Sequence, residues 1–163
     1  MTKLYVGNSR INGTGLFTNT ELMQGDHVAY IDGPIVVFKK ITPSISKQML
    51  NWIGVSRYSW INTDKSLFQY INHGCEPNVA QISARKVIAI KSIKKNTELL
   101  MDYSLTEAEE SWQIGPCNCG TKSCRSSIQS IISLPNRTFA KYKPYIPKKF
   151  QQIYLAARQS KMN

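Results

Sequence analysis

The sequence predicts a mostly β fold of the α+β class, and three observations carry that reading. Residues 4–38, "LYVGNSRINGTGLFTNTELMQGDHVAYIDGPIVVF", alternate short β-type runs with Gly, Asn and Asp turn signals. Segments with helical periodicity are few and short. Hydrophobic content of 42% with 10% aromatic residues, over 163 residues, suits one domain that buries a core without disulfides.

The first region reads as several short strands ending in the apolar run Ile35 to Phe38. "ITPSISKQMLNWIG" follows, where Pro43 and then Ile45, Met49, Leu50 and Ile53 have the spacing of a short helix. "SRYSWIN", "SLFQYIN" and "KVIAIKSI" return to strand chemistry. "SLTEAEESWQI" sets acids behind a Ser/Thr cap and predicts a second short helix over part of 104–114. From Ser133 the tail reads as a Pro-broken loop and then a helix near 148–159. No internal repeat, low-complexity tract or linker divides the chain.

Charge is uneven. The net formal charge is +11, yet residues 1–124 carry 13 Lys/Arg against 10 Asp/Glu, and residues 125–163 carry 8 Lys/Arg and no acid. Either an acidic partner, such as nucleic acid or a nucleoprotein, or a solvated basic face accounts for that segment. No run approaches 18 apolar residues, which predicts no membrane span. The N-terminus "MTKLYVGNSRING" lacks the apolar stretch of a secretory signal. A reducing compartment, the cytoplasm, is therefore expected, and clustered thiols there point to metal more than to disulfides.

Three of the four cysteines, Cys117, Cys119 and Cys124, lie in "GPCNCGTKSCR", and Cys75 stands alone 42 residues before the first of them. Gly120 permits the reversal that gathers three sulfurs about one point. Structural zinc takes four ligands in a tetrahedron and favours thiolate, and Cys75 is the remaining thiol. Cysteine is often buried for packing alone, but "CNCGTKSC" is too polar for a core strand. Around Cys75, "LFQYINHGCEPNV" stops an apolar run at a tight turn dense in hydrogen-bonding groups. "SRINGTGLF" offers Gly13 and Gly15 flanking Thr14, where backbone can approach a ligand, without the third glycine of a dinucleotide fingerprint. "ELLMDYS" ends an apolar strand on Tyr103, whose phenol needs a partner.

In this order, "SRINGTGLF", "YINHGCEPN", "KKNTELLMDY" and "CNCGTKSCR" resemble the motifs of SET-domain protein-lysine methyltransferases, the last resembling their post-SET zinc motif. The likeness spans roughly residues 8–128 and looks most like small stand-alone bacterial-type SET proteins. It implies a SET-type β-clip of small curved sheets with a knot-like crossing, in which the C-terminal strand region threads beneath the "NHGC" loop. The implied domains are 1–112 as SET, 113–128 as the post-SET zinc segment and 129–163 as a basic extension.

The resemblance also implies a chemistry: methyl transfer from S-adenosylmethionine to a lysine side-chain amine of a protein substrate, a histone or another basic protein. Donor contacts carry over to Asn12, Gly13, Thr14, Gly15, Tyr58, Asn72, His73, Asn118 and Ile128, with Trp112 packing on the adenine side or filling the seam. Tyr103 matches the essential tyrosine, Tyr58 a channel-lining aromatic, and Met101 the channel position two before Tyr103. Zinc would join Cys75 to Cys117, Cys119 and Cys124. Solvent suffices as proton acceptor, and action on chromatin would place the chain in the nucleus. The sequence departs from the family's pattern at Thr97-Glu98-Leu99, Ala29-Tyr30, Met101 and Arg125-Ser126 without removing a ligand or the tyrosine. A catalytically silent SET-fold module that binds peptide or nucleoprotein is the alternative.

Overall fold

The computed structural model describes residues 3–49 and 51–160. Strands β1 (Leu4–Asn8) and β2 (Thr14–Thr18) form an antiparallel hairpin that pairs Leu4 with Thr18 and Asn8 with Thr14. Its loop is tied by Ser9, whose N–H donates to Gly13 O at 2.9 Å and whose Oγ accepts from Ile11 N at 3.0 Å. Gly13 there takes φ +47°, a left-handed conformation open to glycine.

Strands β3 (His27–Tyr30) and β4 (Ile35–Val37) follow, then helix α1 (Pro43–Gln48) where a short helix was expected. Met49 beyond it is buried, and Leu50 lies outside the described residues. Strands β5 (Ile53–Ser56) and β6 (Ser59–Ile61) complete a sheet ordered β4-β6-β5. The expected strand over 66–72 is instead mostly a 3-10 turn, Leu67–Tyr70. Ser66 Oγ caps it by accepting from Phe68 N at 3.2 Å, which outcompetes extended pairing.

Strand β7 (Asn72–His73) follows, then β8 (Val79–Gln81) and β9 (Lys86–Ala89), which with β3 make a sheet ordered β3-β9-β8. Strand β10 (Leu100–Met101) pairs parallel with β7, aligning Leu100 with Asn72 and Met101 with His73. Asn78 reaches across the same segment: Nδ2 donates to Glu98 O at 2.7 Å and Oδ1 accepts from Leu100 N at 2.8 Å. The crossing of 98–103 beside the 72–78 loop is thus held from both strand and side chain.

The expected helix over 104–114 does not form. A 3-10 turn, Tyr103–Leu105, is capped by Asp102, and the chain then runs irregularly to β11 (Gln113–Ile114). Glu107 explains the difference, because its carboxylate is buried and accepts from Ala108 N at 2.7 Å and Glu109 N at 2.8 Å. Those N–H groups are turned to a side chain instead of forming a helical turn. Strand β12 (Ile128–Gln129) pairs with β11.

The Pro-broken loop expected after Ser133 is in fact largely helical: α2 spans Asn136–Tyr142 behind Pro135, and α3 spans Lys148–Ser160 as expected. Two apolar clusters result. One gathers Leu16, Ile31, Ile61, Phe68, Ile71, Val79, Val87, Leu99 and Met101, and the other packs Ile131, Phe139, Tyr142, Phe150 and Tyr154 against Ala80, Ile90 and Leu105. The C-terminal segment therefore supplies most of the second cluster, while Lys141, Lys143, Lys148 and Lys149 stay exposed. Among the described residues no helix is long and apolar enough to cross a membrane.

Candidate active site

Tyr103 stands between two cavities and lines both. The 3-10 turn after β10 aims it, and its backbone N–H donates to His73 Nδ1 at 3.2 Å. Its hydroxyl donates to the Ile71 carbonyl, leaving the oxygen lone pairs as acceptors. Burial, and then the charge of Glu98, raise the Tyr103 pKa, so it stays a neutral phenol at neutral pH.

The first cavity, about 290 Å³, is lined by Ile11 and Asn12 of the hairpin loop, Asn72 and His73 of β7, and 114–118 with Ile128. Its size is at the lower end of small-ligand clefts, roughly 300 Å³. Asn72 is its keystone. Its Nδ2 donates to Thr14 O at 3.0 Å, Asn12 O at 3.4 Å and Glu98 Oε1 at 2.8 Å, which leaves Oδ1 free to accept from a ligand. Gly15 makes that junction possible, since a Cβ there would lie 2.3 Å from Glu98 Oε1. Asn12, Asn72, His73, Asn118 and Ile128 line the cavity, whereas Gly13, Thr14 and Gly15 are not among its lining residues, and Thr14 enters only through its carbonyl, which accepts from Asn72 Nδ2.

The second cavity is a narrow slot of about 30 Å³. Asn51, Trp52, Phe68, Ile71, Met101, Glu107 and Trp112 line it beside Tyr103. Trp112 is therefore on the slot side and not among the lining residues of the larger cavity. Tyr58 lies 49% exposed in the β5–β6 turn, under the Arg57 guanidinium, and is not among the lining residues of either cavity. The aromatic walls expected from it come from Trp52, Phe68 and Trp112.

The four cysteines converge, all free and with their Sγ atoms within 4.8 Å of one another. Cys75 and Cys117 Sγ are 3.8 Å apart, the edge expected, about 3.8 Å, for four thiolates tetrahedral about zinc. Backbone N–H groups of Arg125 and Ser126 donate to Cys75 Sγ and Cys124 Sγ, each at 3.4 Å. Burial pushes the Cys75 thiol up and takes Cys117 to about 11. Burial also opposes the Cys119 thiolate, but hydrogen bonds led by Thr121 bring it down to about 6. The donor set fits a tetrahedral thiophilic ion, whose charge would offset the burial that keeps Cys75 and Cys117 protonated.

His73 links the two halves. Nδ1 accepts from Tyr103 N, so the neutral ring carries its proton on Nε2, 3.3 Å from Cys75 Sγ. Burial lowers its pKa to about 4, and the Arg125 charge adds to this against the pull of Asp102.

A family model described as the SET domain matches residues 13–104. The chain belongs to the SET-domain family. It is 28% identical over 136 residues to Histone-lysine N-methyltransferase 2B of Homo sapiens, covering 74% of this chain and 5% of that protein. It is 30% identical over 139 residues to Histone-lysine N-methyltransferase 2D of Homo sapiens, covering 75% of this chain and 2% of that protein. The chain thus spans a small fraction of the length of the curated relatives it matches. Among solved structures, the methyltransferase domain of human Histone-lysine N-methyltransferase SETMAR superposes with TM-score 0.62 at 21% identity, covering 80% of this chain and 59% of that one. That likeness is one of fold.

Within this SET domain the structure adds residues that motif reading passed over. Arg125 makes a bidentate pair with the fully buried Asp102, at 2.9 and 2.6 Å, and also donates to Ser104 Oγ at 3.2 Å. Burial works against the Arg125 charge, and the Asp102 hydrogen bonds more than offset it, raising its pKa. The cysteine segment is thereby fastened to the turn that carries Tyr103. Glu98 braces Asn72, and Glu107 and Trp52 enter the slot wall. The lone signal for Arg125 and Asp102 was adjacency, to Cys124 and Tyr103 respectively.

Proposed function

We propose that the chain transfers a methyl group from S-adenosylmethionine to the side-chain amine of a lysine in a histone or another basic protein. The observation that carries this reading is Tyr103 at the wall shared by a ligand-sized cavity and a narrow slot. The donor would occupy the larger cavity, with Asn12, Asn72 Oδ1, His73, Asn118 and Ile128 around it, and supply a methyl carbon on a positively charged sulfur. Relatives named as histone-lysine methyltransferases support the same reaction class.

The chain's own residues do the placing. Trp52, Phe68, Ile71 and Trp112 exclude water from the slot and disfavour the ammonium form of a lysine whose free pKa is about 10.4. Tyr103, its proton fixed on Ile71 O, presents lone pairs where amine and methyl meet, and as a neutral phenol it orients rather than removes a proton. Met101 is buried beneath and has no hydroxyl to restrain the amine, so products beyond monomethyl-lysine are expected. Zinc on Cys75, Cys117, Cys119 and Cys124 would hold 113–128 as the closing wall of the donor cavity. Residues 129–163 then form an extension whose exposed lysines suit a nucleoprotein surface, and action on chromatin would make the protein nuclear.

A labelled-methyl assay on a panel of histones, ribosomal proteins and translation factors, with mass spectrometry of the labelled band, tests this. Label on lysine is expected with the unaltered protein. No label on any substrate, from protein that binds the donor, contradicts it.

A further inference from the structure

The reaction proposed above needs a lysine that has lost its proton, and the slot holds one group able to take it. Of the lining residues only Tyr103 and Glu107 titrate, and Tyr103 is held as a phenol that already donates to Ile71 O. Glu107 is 6% exposed. Its Oε1 accepts from Ala108 N and Glu109 N, and its Oε2 from Trp60 Nε1 at 2.9 Å. A carboxylate has about four acceptor positions, so one remains, on Oε2. The ion pair between charged side chains among the described residues is that of Asp102 with Arg125, and Glu107 has none. A buried carboxylate without a cation is costly, and it is relieved by a cation that arrives.

The charged surroundings sharpen the case. β5 and β6 bring only the neutral indole of Trp60, and the wall at 51–52 brings Asn51 and Trp52, the latter bonded to Asp64 Oδ2 at 3.4 Å. Glu109, on Glu107's own segment, adds a like charge. Among the described residues no cation is paired with Oε2. Resting on the functional reading above, we propose that Glu107 is the proton acceptor of the amine slot: it receives the lysine ammonium and takes its proton.

One proton passes from the ammonium to Oε2, leaving a neutral amine and a neutral carboxyl. The amine lone pair forms the new N–C bond as the C–S bonding pair returns to sulfur, and the positive charge ends on the methylated amine. Solvent then removes the proton from Glu107 before the next turnover. Burial raises the pKa of Glu107 above that of an exposed glutamate, which makes it a stronger base than an ordinary carboxylate. A purely structural Glu107 would merely hold Trp60 and the turn at 108–109.

Two measurements separate these roles. Trp52 and Trp112 line the slot, so their fluorescence reports occupancy without any donor present. The full chain is titrated with a peptide carrying lysine and with the same peptide carrying norleucine, which lacks the amine. The unaltered protein should prefer lysine by about tenfold, the scale of a charge-assisted hydrogen bond, and Glu107→Gln should show no preference. Methyl transfer at pH 7 should fall about 100-fold in Glu107→Gln, and its rate should then climb with pH more steeply than that of the unaltered protein. Trp60→Phe keeps the carboxylate and removes one of its donors, so its acid limb should move to higher pH while the lysine preference stays. An unchanged preference and pH profile in Glu107→Gln overturns the proposal, and if that variant does not fold, an unmoved limb in Trp60→Phe overturns it instead. Failure of the unaltered protein to methylate any lysine sinks the functional reading, and the fluorescence comparison then decides Glu107 alone.

Discussion

The donor cavity and the amine slot share Tyr103, but they are built by different means. The cavity is assembled from short contiguous motifs, the hairpin loop, the Asn72–His73 strand and the cysteine segment, joined by polar contacts such as those of Asn72 Nδ2. The slot is assembled from the run 51–54 and from residues at 68–71, 101–107 and 112 that form no motif together. Polar, backbone-defined walls demand particular residues at particular spacings. A packed wall demands only shape, which many residues can supply.

The comparison breaks first at the metal. Cys75→Ser, or chelation, should abolish metal retention by native mass spectrometry and remove donor binding by calorimetry, because 114–118 lose their anchor. Retained donor affinity would show that the cavity wall stands without the ion. Next comes the junction itself. Tyr103→Phe should leave donor affinity within about twofold yet cut transfer by roughly 100-fold or more, since it alters a group placed at the reacting atoms.

The third test sets the two walls against each other through glycine. At Gly54 a Cβ would lie 1.8 Å from Thr106 O, a backbone atom that cannot move aside, so Gly54→Ala should cost about 1–3 kcal/mol of stability and close the slot. At Gly15 the obstacle is the Glu98 side chain, which can swing away. Gly15→Ala should destabilise less but weaken donor binding, because Asn72 loses its brace. Urea unfolding and calorimetry on both variants distinguish the effects.

Acid titration is the fourth. A histidine whose folded pKa is about 4, against a free value of about 6.5, stabilises the fold above pH 6.5 and loses that contribution as pH falls toward 4. Loss of stability should therefore fall within that window. A melting temperature flat from pH 7 to 4 would contradict the buried neutral His73. The smallest effect is expected at Tyr58, where Tyr58→Ala should leave donor binding and transfer unchanged within about twofold, as for an exposed surface residue.

The same contrast explains what could be read from the sequence. Cys75, Cys117, Cys119 and Cys124 stand out because a metal needs thiols that can gather at one point, whereas Asn72 and Tyr103 stand out through the family resemblance of the motifs that hold them. Trp52 and Glu107 do not, since nothing in "NWIG" or "SLTEAEE" shows that they meet across the fold. The exposure of Tyr58 is equally silent in the sequence: an aromatic between two strands carries no sign of which way its turn faces. The acids of 104–114 were read as a helix start, yet burial of Glu107 redirects the backbone N–H groups to its carboxylate. The extension's charge pattern was plain, but the buried Phe139, Phe150 and Tyr154 that fix it to the core were hidden among lysines.

The central claim is that donor and amine approach Tyr103 from opposite sides. A crystal structure of the zinc-loaded chain with S-adenosylhomocysteine and a lysine peptide tests it most directly. The account predicts the donor product beside Asn72, His73 and Asn118, and the lysine between Trp52 and Trp112, with sulfur and amine nitrogen facing each other across the Tyr103 hydroxyl. A donor product bound elsewhere, or a lysine that reaches Tyr103 by any path other than the slot, would contradict it.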